Sequence, residues 1–141
     1  MLPERILHSQ ICEYLKLQYR DVLFRTDFAA GEKLSMQQAI RNKQLQAVRG
    51  WPDIFISEPR GQYHGLFIEL KEQGTKLFLK DGSFTTNAHL KEQQDVLDML
   101  TSRGYMAVFC VGFEQTKQTI DDYLHEALTT SNQPSELPTS V

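Results

Sequence analysis

Long apolar runs are missing from this sequence. No stretch approaches the roughly 18 apolar residues needed to cross a bilayer. The first ten residues, MLPERILHSQ, are charged too early and lack the apolar core of a secretory signal. The expectation is an intracellular, cytoplasmic protein. Cysteine is scarce: Cys12 and Cys110 are the two in the chain, and both lie in apolar-periodic segments. In a cytoplasmic setting they read as reduced core thiols and not as a disulfide. His8, His64, His89 and His125 are scattered, and no Cys or His pair stands at zinc-ligand spacing, which argues against a zinc site. An excess of positive charge is missing too. The formal net charge is −3, which by itself argues weakly against a nucleic-acid partner.

The distribution of charge says more than its total. Residues 33–91 carry nine Lys and Arg against five Asp and Glu, so this middle stretch is +4 and the remainder is −7. A locally basic face on an acidic chain is compatible with phosphate binding; a solvated mixed-charge surface is the alternative. The 141 residues, 40% of them apolar, suit one domain with a real core. That domain is expected over 1–128. The last 13 residues, 129–141, are polar and proline-bearing and read as a disordered tail.

The chain alternates helical and extended patterns. Residues 4–18 read as a helix behind Pro3, with Leu7, Ile11, Tyr14 and Gln18 on one face. Residues 22–26 read as a short strand, and 34–48 as a helix with Ser35 as a possible cap. Gly50 and Pro52 end that segment. Residues 53–57 (DIFIS) and 66–71 (LFIELK) are two strands joined by the turn-forming EPRGQYHG. Asp81-Gly82, between 77–80 and 83–86, signals a small protruding β-ribbon. Residues 88–102 form a helix ended by Gly104. The apolar run YMAVFCV at 105–111 reads as a strand buried on both faces. Residues 114–128 form a last helix, with Ile120, Tyr123 and Leu124 on its apolar face. The order is α-β-α-β-β-α-β-α, a mixed β-sheet flanked by helices in the α/β class.

Three charged residues stand out in the paired strands. With the turn centred near residues 61 and 62, Asp53 lies across from position 70, within one residue. Side chains alternate along a strand, so Glu69 and Lys71 share a face. A register one residue off puts Asp53 on that same face. Their neighbours are Ile54, Phe55, Ile56, Leu66, Phe67, Ile68 and Leu70. Charges set among such residues must pair or hold a metal. Two carboxylates brought together repel unless a cation sits between them. Asp53, Glu69 and the Leu70 backbone carbonyl would offer hard oxygen ligands suited to Mg²⁺ or Mn²⁺. Such an ion activates water and offsets charge on a phosphoryl oxygen. Lys71 could orient that water or stabilise a pentacovalent phosphorane. The alternative is a surface Asp beside a Glu–Lys salt bridge, since short motifs match by chance.

Further residues bear on that choice. Gly50 and Pro52 fix the backbone before Asp53. Gln93 lies on the apolar seam of its helix with Val96, Leu97 and Leu100. A buried amide needs a partner; it could reach the metal site or a phosphate, or lie at the helix edge. Glu13, beside Gln10 and Leu17 on the first helix, could supply a third carboxylate or face solvent. Trp51 could stack on a base or pack against a neighbouring helix. Arg49, Lys76, Lys80 and Lys91 are phosphate-contact candidates by sequence proximity, or solvated surface charges.

These residues resemble the PD-(D/E)xK nuclease superfamily, and more narrowly its VRR-NUC (virus-type replication-repair nuclease) family. The resemblance runs from Glu13 to Leu124 and rests on "RGWPDIFI" at 49–56, "HGLFIELK" at 64–71, "LKEQQDVLDML" at 90–100 and "GYMAVFCVG" at 104–112. It implies a restriction-endonuclease-like core and a divalent-metal phosphodiesterase acting on DNA. Asp53 and Glu69 would be metal ligands, Lys71 the catalytic lysine, Gln93 the helix glutamine and Glu13 the N-terminal acidic position. It further implies a homodimer that cuts branched DNA such as Holliday junctions, in a bacterial or phage-encoded repair setting. The short chain, with no room for added DNA-binding domains, points to the stand-alone type. A linear or flap DNA nuclease, or a DNA-binding module without turnover, is the alternative.

Overall fold

The computed structural model describes residues 3–27 and 34–130. The first helix, α1 (Glu4–Gln18), begins behind Pro3, whose fixed φ suits the entry to a helix and whose missing N–H costs nothing there. Strand β1 (Phe24–Thr26) is followed by α2 (Met36–Leu45). Ser35 and Gln38 close a reciprocal capping box at the start of α2, which satisfies two otherwise unpaired N–H groups. Strands β2 (Ile54–Ile56) and β3 (Leu66–Lys71) form the expected hairpin, α3 (Ala88–Ser102) crosses over, and β4 (Met106–Val111) runs straight into α4 (Gly112–Thr130). Of the expected tail, residues 129 and 130 belong to α4, and 131–141 lie outside the described residues.

The sheet order is β1-β2-β3-β4, with β1–β2 and β2–β3 antiparallel and β3–β4 parallel. Strand parity divides the core. Ile54, Ile56, Leu66, Ile68 and Leu70 face α1 and α4, where they meet Leu7, Ile11, Leu15, Ile120, Tyr123 and Leu124. Phe67 turns the other way, toward Val96 and Leu100 of α3, with Phe55, Tyr105 and Ala107 beside it. The architecture is therefore a mixed four-stranded sheet between α1 and α4 on one face and α3 on the other. Each fully buried Leu or Ile contributes about 1.5–3 kcal/mol.

One expectation needs correction and another holds. Residues 105–111 are not buried on both faces: β4 is an edge strand, and five of its six residues are only half-buried. The segment around Asp81-Gly82 is the expected hairpin: the Leu79 N–H donates to the Ser83 carbonyl, the Thr85 N–H to that of Leu77, and residues 78–83 are exposed. Its pairing is one bridge, Phe78 to Phe84, and Phe84 stacks on Phe109 of β4 at 5.8 Å between ring centroids. The aromatic contact ties the base of the hairpin to the sheet edge. Cys12 and Cys110 are free. Among the described residues, no helix is long and apolar enough to cross a membrane.

Candidate metal centre

The hairpin register decides where the charges meet. Ile54 pairs with Ile68, so one step outward puts Asp53 across from Glu69, on the face that Phe55 and Phe67 also share. The loop before Asp53 is pinned from behind. Gly50 has φ +83°, and a Cβ there would meet the Gln93 backbone at 3.4 Å. Glycine alone adopts that conformation at little cost. Pro52 is buried and stiffens the next step. Asp53 then turns inward, and its Oδ2 accepts from the Leu70 backbone N–H at 2.7 Å. In a strand the N–H and C=O of one residue leave the same edge, so the Leu70 carbonyl opens toward the same side as Asp53.

Glu69 is only 3% exposed and Lys71 6%. Glu69 Oε2 accepts from Gln93 Nε2 at 2.9 Å and lies 3.7 Å from Lys71 Nζ. The other oxygen, Oε1, is buried without a partner, as is Gln93 Oε1. A buried carboxylate oxygen left bare costs about 1–3 kcal/mol or more. Burial, and then the neighbouring Asp53 carboxylate, push the Glu69 carboxyl up to about 10, against the pull of Lys71. Burial raises Asp53 as well, although the Glu69 carboxyl, when it holds the proton, and the Leu70 N–H oppose it. The 3.7 Å Lys71 contact alone would describe an ion pair. The raised carboxyls say that it does not offset the burial of two adjacent acids.

That deficit fits a divalent cation. Two carboxylates, one with a bare oxygen, and a carbonyl on the same edge are hard donors of the kind Mg²⁺ and Mn²⁺ take, with water completing the shell. No group of three or more Asp, Glu, His or Cys side chains is gathered as a ready ligand set among the described residues. A cation here would rest on Asp53, Glu69 and the Leu70 carbonyl.

Glu13 does not join this cluster, whereas the Glu4 carboxyl of α1 interacts electrostatically with Lys71 and Asp53. Glu13 is 63% exposed and faces Lys16 at 3.9 Å. Nine residues is about two and a half helical turns, so Glu13 lies opposite Glu4 on α1, well along the axis. Glu4 shares the stripe of Leu7, Ile11 and Leu15. Burial raises its carboxyl, and it feels the charges of Lys71 and Asp53 in turn. His8, one turn later and 9% exposed, bonds Thr26 of β1 through Nε2 and lowers the Asp53 carboxyl. The signal for His8 was in the sequence: a polar residue on the buried stripe of an amphipathic helix.

The basic candidates lie outside this cluster. Arg49 approaches Glu92 of α3 at 4.0 Å while 68% exposed, and Lys76, Lys80 and Lys91 are all exposed. Trp51 is 40% exposed, with its ring 5.9 Å from that of Phe67 on the sheet.

No family model matches the chain, and no curated protein matches it. A solved structure does. It is described as a VRR_NUC domain protein, has a TM-score of 0.66, and aligns over 89% of this chain and 90% of that one at 24% sequence identity. The chain has the α/β fold of that VRR_NUC domain protein.

Proposed function

We propose that the chain is a divalent-metal-dependent deoxyribonuclease that hydrolyses phosphodiester bonds in branched DNA, Holliday junctions included. The observation that carries this reading is the buried Asp53–Glu69 pair, with a bare carboxylate oxygen and with Lys71 3.7 Å from Glu69. A structural salt bridge has no use for a second, uncompensated acid. A phosphodiesterase does. When bound, Mg²⁺ or Mn²⁺ supplies Lewis-acid charge to a phosphoryl oxygen and activates water.

The chain's own residues do the rest. The Leu70 N–H fixes the Asp53 carboxylate, and the Gln93 amide fixes that of Glu69. Lys71 Nζ, on the same face, orients the attacking water and meets negative charge as it builds on the phosphorane. Glu4 adds carboxylate charge at the rim. Arg49, Lys76, Lys80 and Lys91 are offered as phosphate contacts that position the duplex. A four-way junction needs two cuts related by a two-fold axis, which a homodimer supplies.

A panel of linear, flapped, splayed and four-way DNA, incubated with Mg²⁺ or Mn²⁺, tests the reading. Cutting of branched forms is expected, and its loss in EDTA, in Asp53→Ala and in Lys71→Ala, each still folded by circular dichroism. Cleavage that survives Asp53→Ala and EDTA would sink it. Equal cutting of linear duplex would keep the nuclease and remove the branch preference. Junction binding without cutting in any metal would leave a binding module.

A further inference from the structure

A cleft of about 780 Å³ opens beside Asp53, between the sheet and α2. That volume lies within the range of ligand pockets, roughly 300–1,000 Å³. Its inner wall is aromatic: Phe55 and Phe67 stack at 4.3 Å, and Trp51 leans over Phe67 with its own ring partly open. Its outer wall is α2 and its C-terminal end, where Asn42 and Gln46 line the cleft one turn apart. Among the described residues neither amide has a hydrogen-bond partner. No residue of α2 is buried, so the helix is not needed to close the core. Arg25, on the edge strand β1, completes the rim.

This is not the lining of a metal site, and it is not a plain apolar groove. It combines a flat π-surface with two side chains that each donate and accept hydrogen bonds. Asp53 is common to the cleft and to the metal centre. An occupant must therefore lie within about one nucleotide of a phosphate held at Asp53 and Glu69. A base inside a duplex is stacked and paired, and cannot leave for such a cleft without a cost of a few kcal/mol. A base that is already unpaired can.

We propose that this cleft takes one unpaired nucleobase of the substrate strand, stacked on Trp51 and read along its edge by Asn42 and Gln46. Arg25 meets the adjoining phosphate. The inference rests on the nuclease reading and deepens it: the preferred cut lies beside an unpaired nucleotide, at whatever branch, flap or bulge provides one.

Trp51 is the sole tryptophan, so its emission reports on the cleft. The full-length chain is titrated, with Ca²⁺ as the oxygen-ligated cation, with two short DNA duplexes. They differ only in whether one 2-aminopurine is paired or bulged, and gels verify that both stay uncut. The bulged DNA is expected to quench Trp51 and 2-aminopurine together and to bind at least 10-fold tighter. Base–aromatic stacking sets the size of the Trp51→Ala effect, a roughly 10-fold to 100-fold loss for bulged DNA and little for paired DNA. Trp51→Phe should restore most of it. The double variant Asn42→Ala/Gln46→Ala, on an exposed helix, should lower affinity for the bulge without touching the core. Equal affinity for both DNAs overturns the inference, as does a Trp51→Ala loss that is the same for both. Emission that shifts with protein concentration alone identifies a second copy as the occupant and overturns it too. Cutting by the wild type in Mg²⁺ or Mn²⁺ is run alongside. If branched DNA is cut but the bulge gives no signal, the cleft fails and the nuclease stands; if no DNA is cut or bound, both fail.

Discussion

Glu69 is held by one amide and one ammonium, and each holds it differently. The Gln93 amide fixes the direction of Oε2 at 2.9 Å; Lys71 supplies charge from 3.7 Å. Gln93→Ala should therefore leave the fold intact but let the carboxylate swing, weakening the metal site. Loss of such supporting hydrogen bonds typically costs about 10-fold to 100-fold in metal affinity or activity. A Mn²⁺ titration of DNA cleavage checks this: the half-saturating concentration should rise by that factor. Glu4 and Glu13 offer a sharper comparison. Glu4→Gln should raise the Mn²⁺ requirement, because Glu4 couples to Lys71 and Asp53. Glu13→Gln should change nothing, because Glu13 is exposed beside Lys16. The reverse result would remove Glu4 from the site. Asp53, Glu69 and Lys71 were legible in the sequence because strand parity is a strict rule and charges among Ile, Phe and Leu are conspicuous. Glu4 was not, because a glutamate in a first helical turn usually serves the helix dipole. Its second role depends on how α1 lies across the sheet.

Among the elements, legibility followed the strength of local signals. The limits of α1, β3 and α3 could be read closely, since each combines a clear period with a stop: Pro3, the turn before Leu66, and Gly104 behind α3. The exposure of β4 could not be read. An apolar run of six looks the same at the centre of a sheet as at its edge, and only the strand order separates the two. The packing of α1 on α4 was also hidden. Tyr14 and Tyr19 both donate to Asp121 Oδ1 at 2.6 Å, and Lys117 lies 3.2 Å from Oδ2. Burial pushes the Asp121 carboxyl up, but these three donors outweigh it and hold it below its usual range. Both tyrosines are more than 100 residues from Asp121 in sequence, so no window could join them to it. Asp121→Ala should strand two tyrosine hydroxyls and cost about 1–3 kcal/mol in a urea melt. DNA cleavage below the melting range should be unchanged, because this cluster sits at the far end of α1 from Glu4.

For the whole molecule, the two buried acids link folding, pH and metal. Glu69 binds its proton more tightly folded than unfolded, so its contribution to stability is complete below its ordinary value of 4.5. That contribution falls as pH rises toward about 10, the folded value. The raised Asp53 carboxyl acts in the same direction. The metal-free protein should therefore melt at progressively lower temperature between pH 5 and pH 8. A cation competes with that proton, so Mg²⁺ or Mn²⁺ should raise Tm little at pH 5 and increasingly toward pH 8. Glu69→Gln separates the causes. It keeps the shape and removes the charge facing Asp53, so the metal-free variant should melt higher than the wild type at pH 8, with a flatter pH profile and almost no response to Mn²⁺. Thermal melts with and without Mn²⁺ at both pH values would decide it. If the wild type kept the same Tm across this range, with no dependence on metal, the Glu69 carboxylate would be satisfied by Lys71 alone, and the case for a cation at Asp53 and Glu69 would fall.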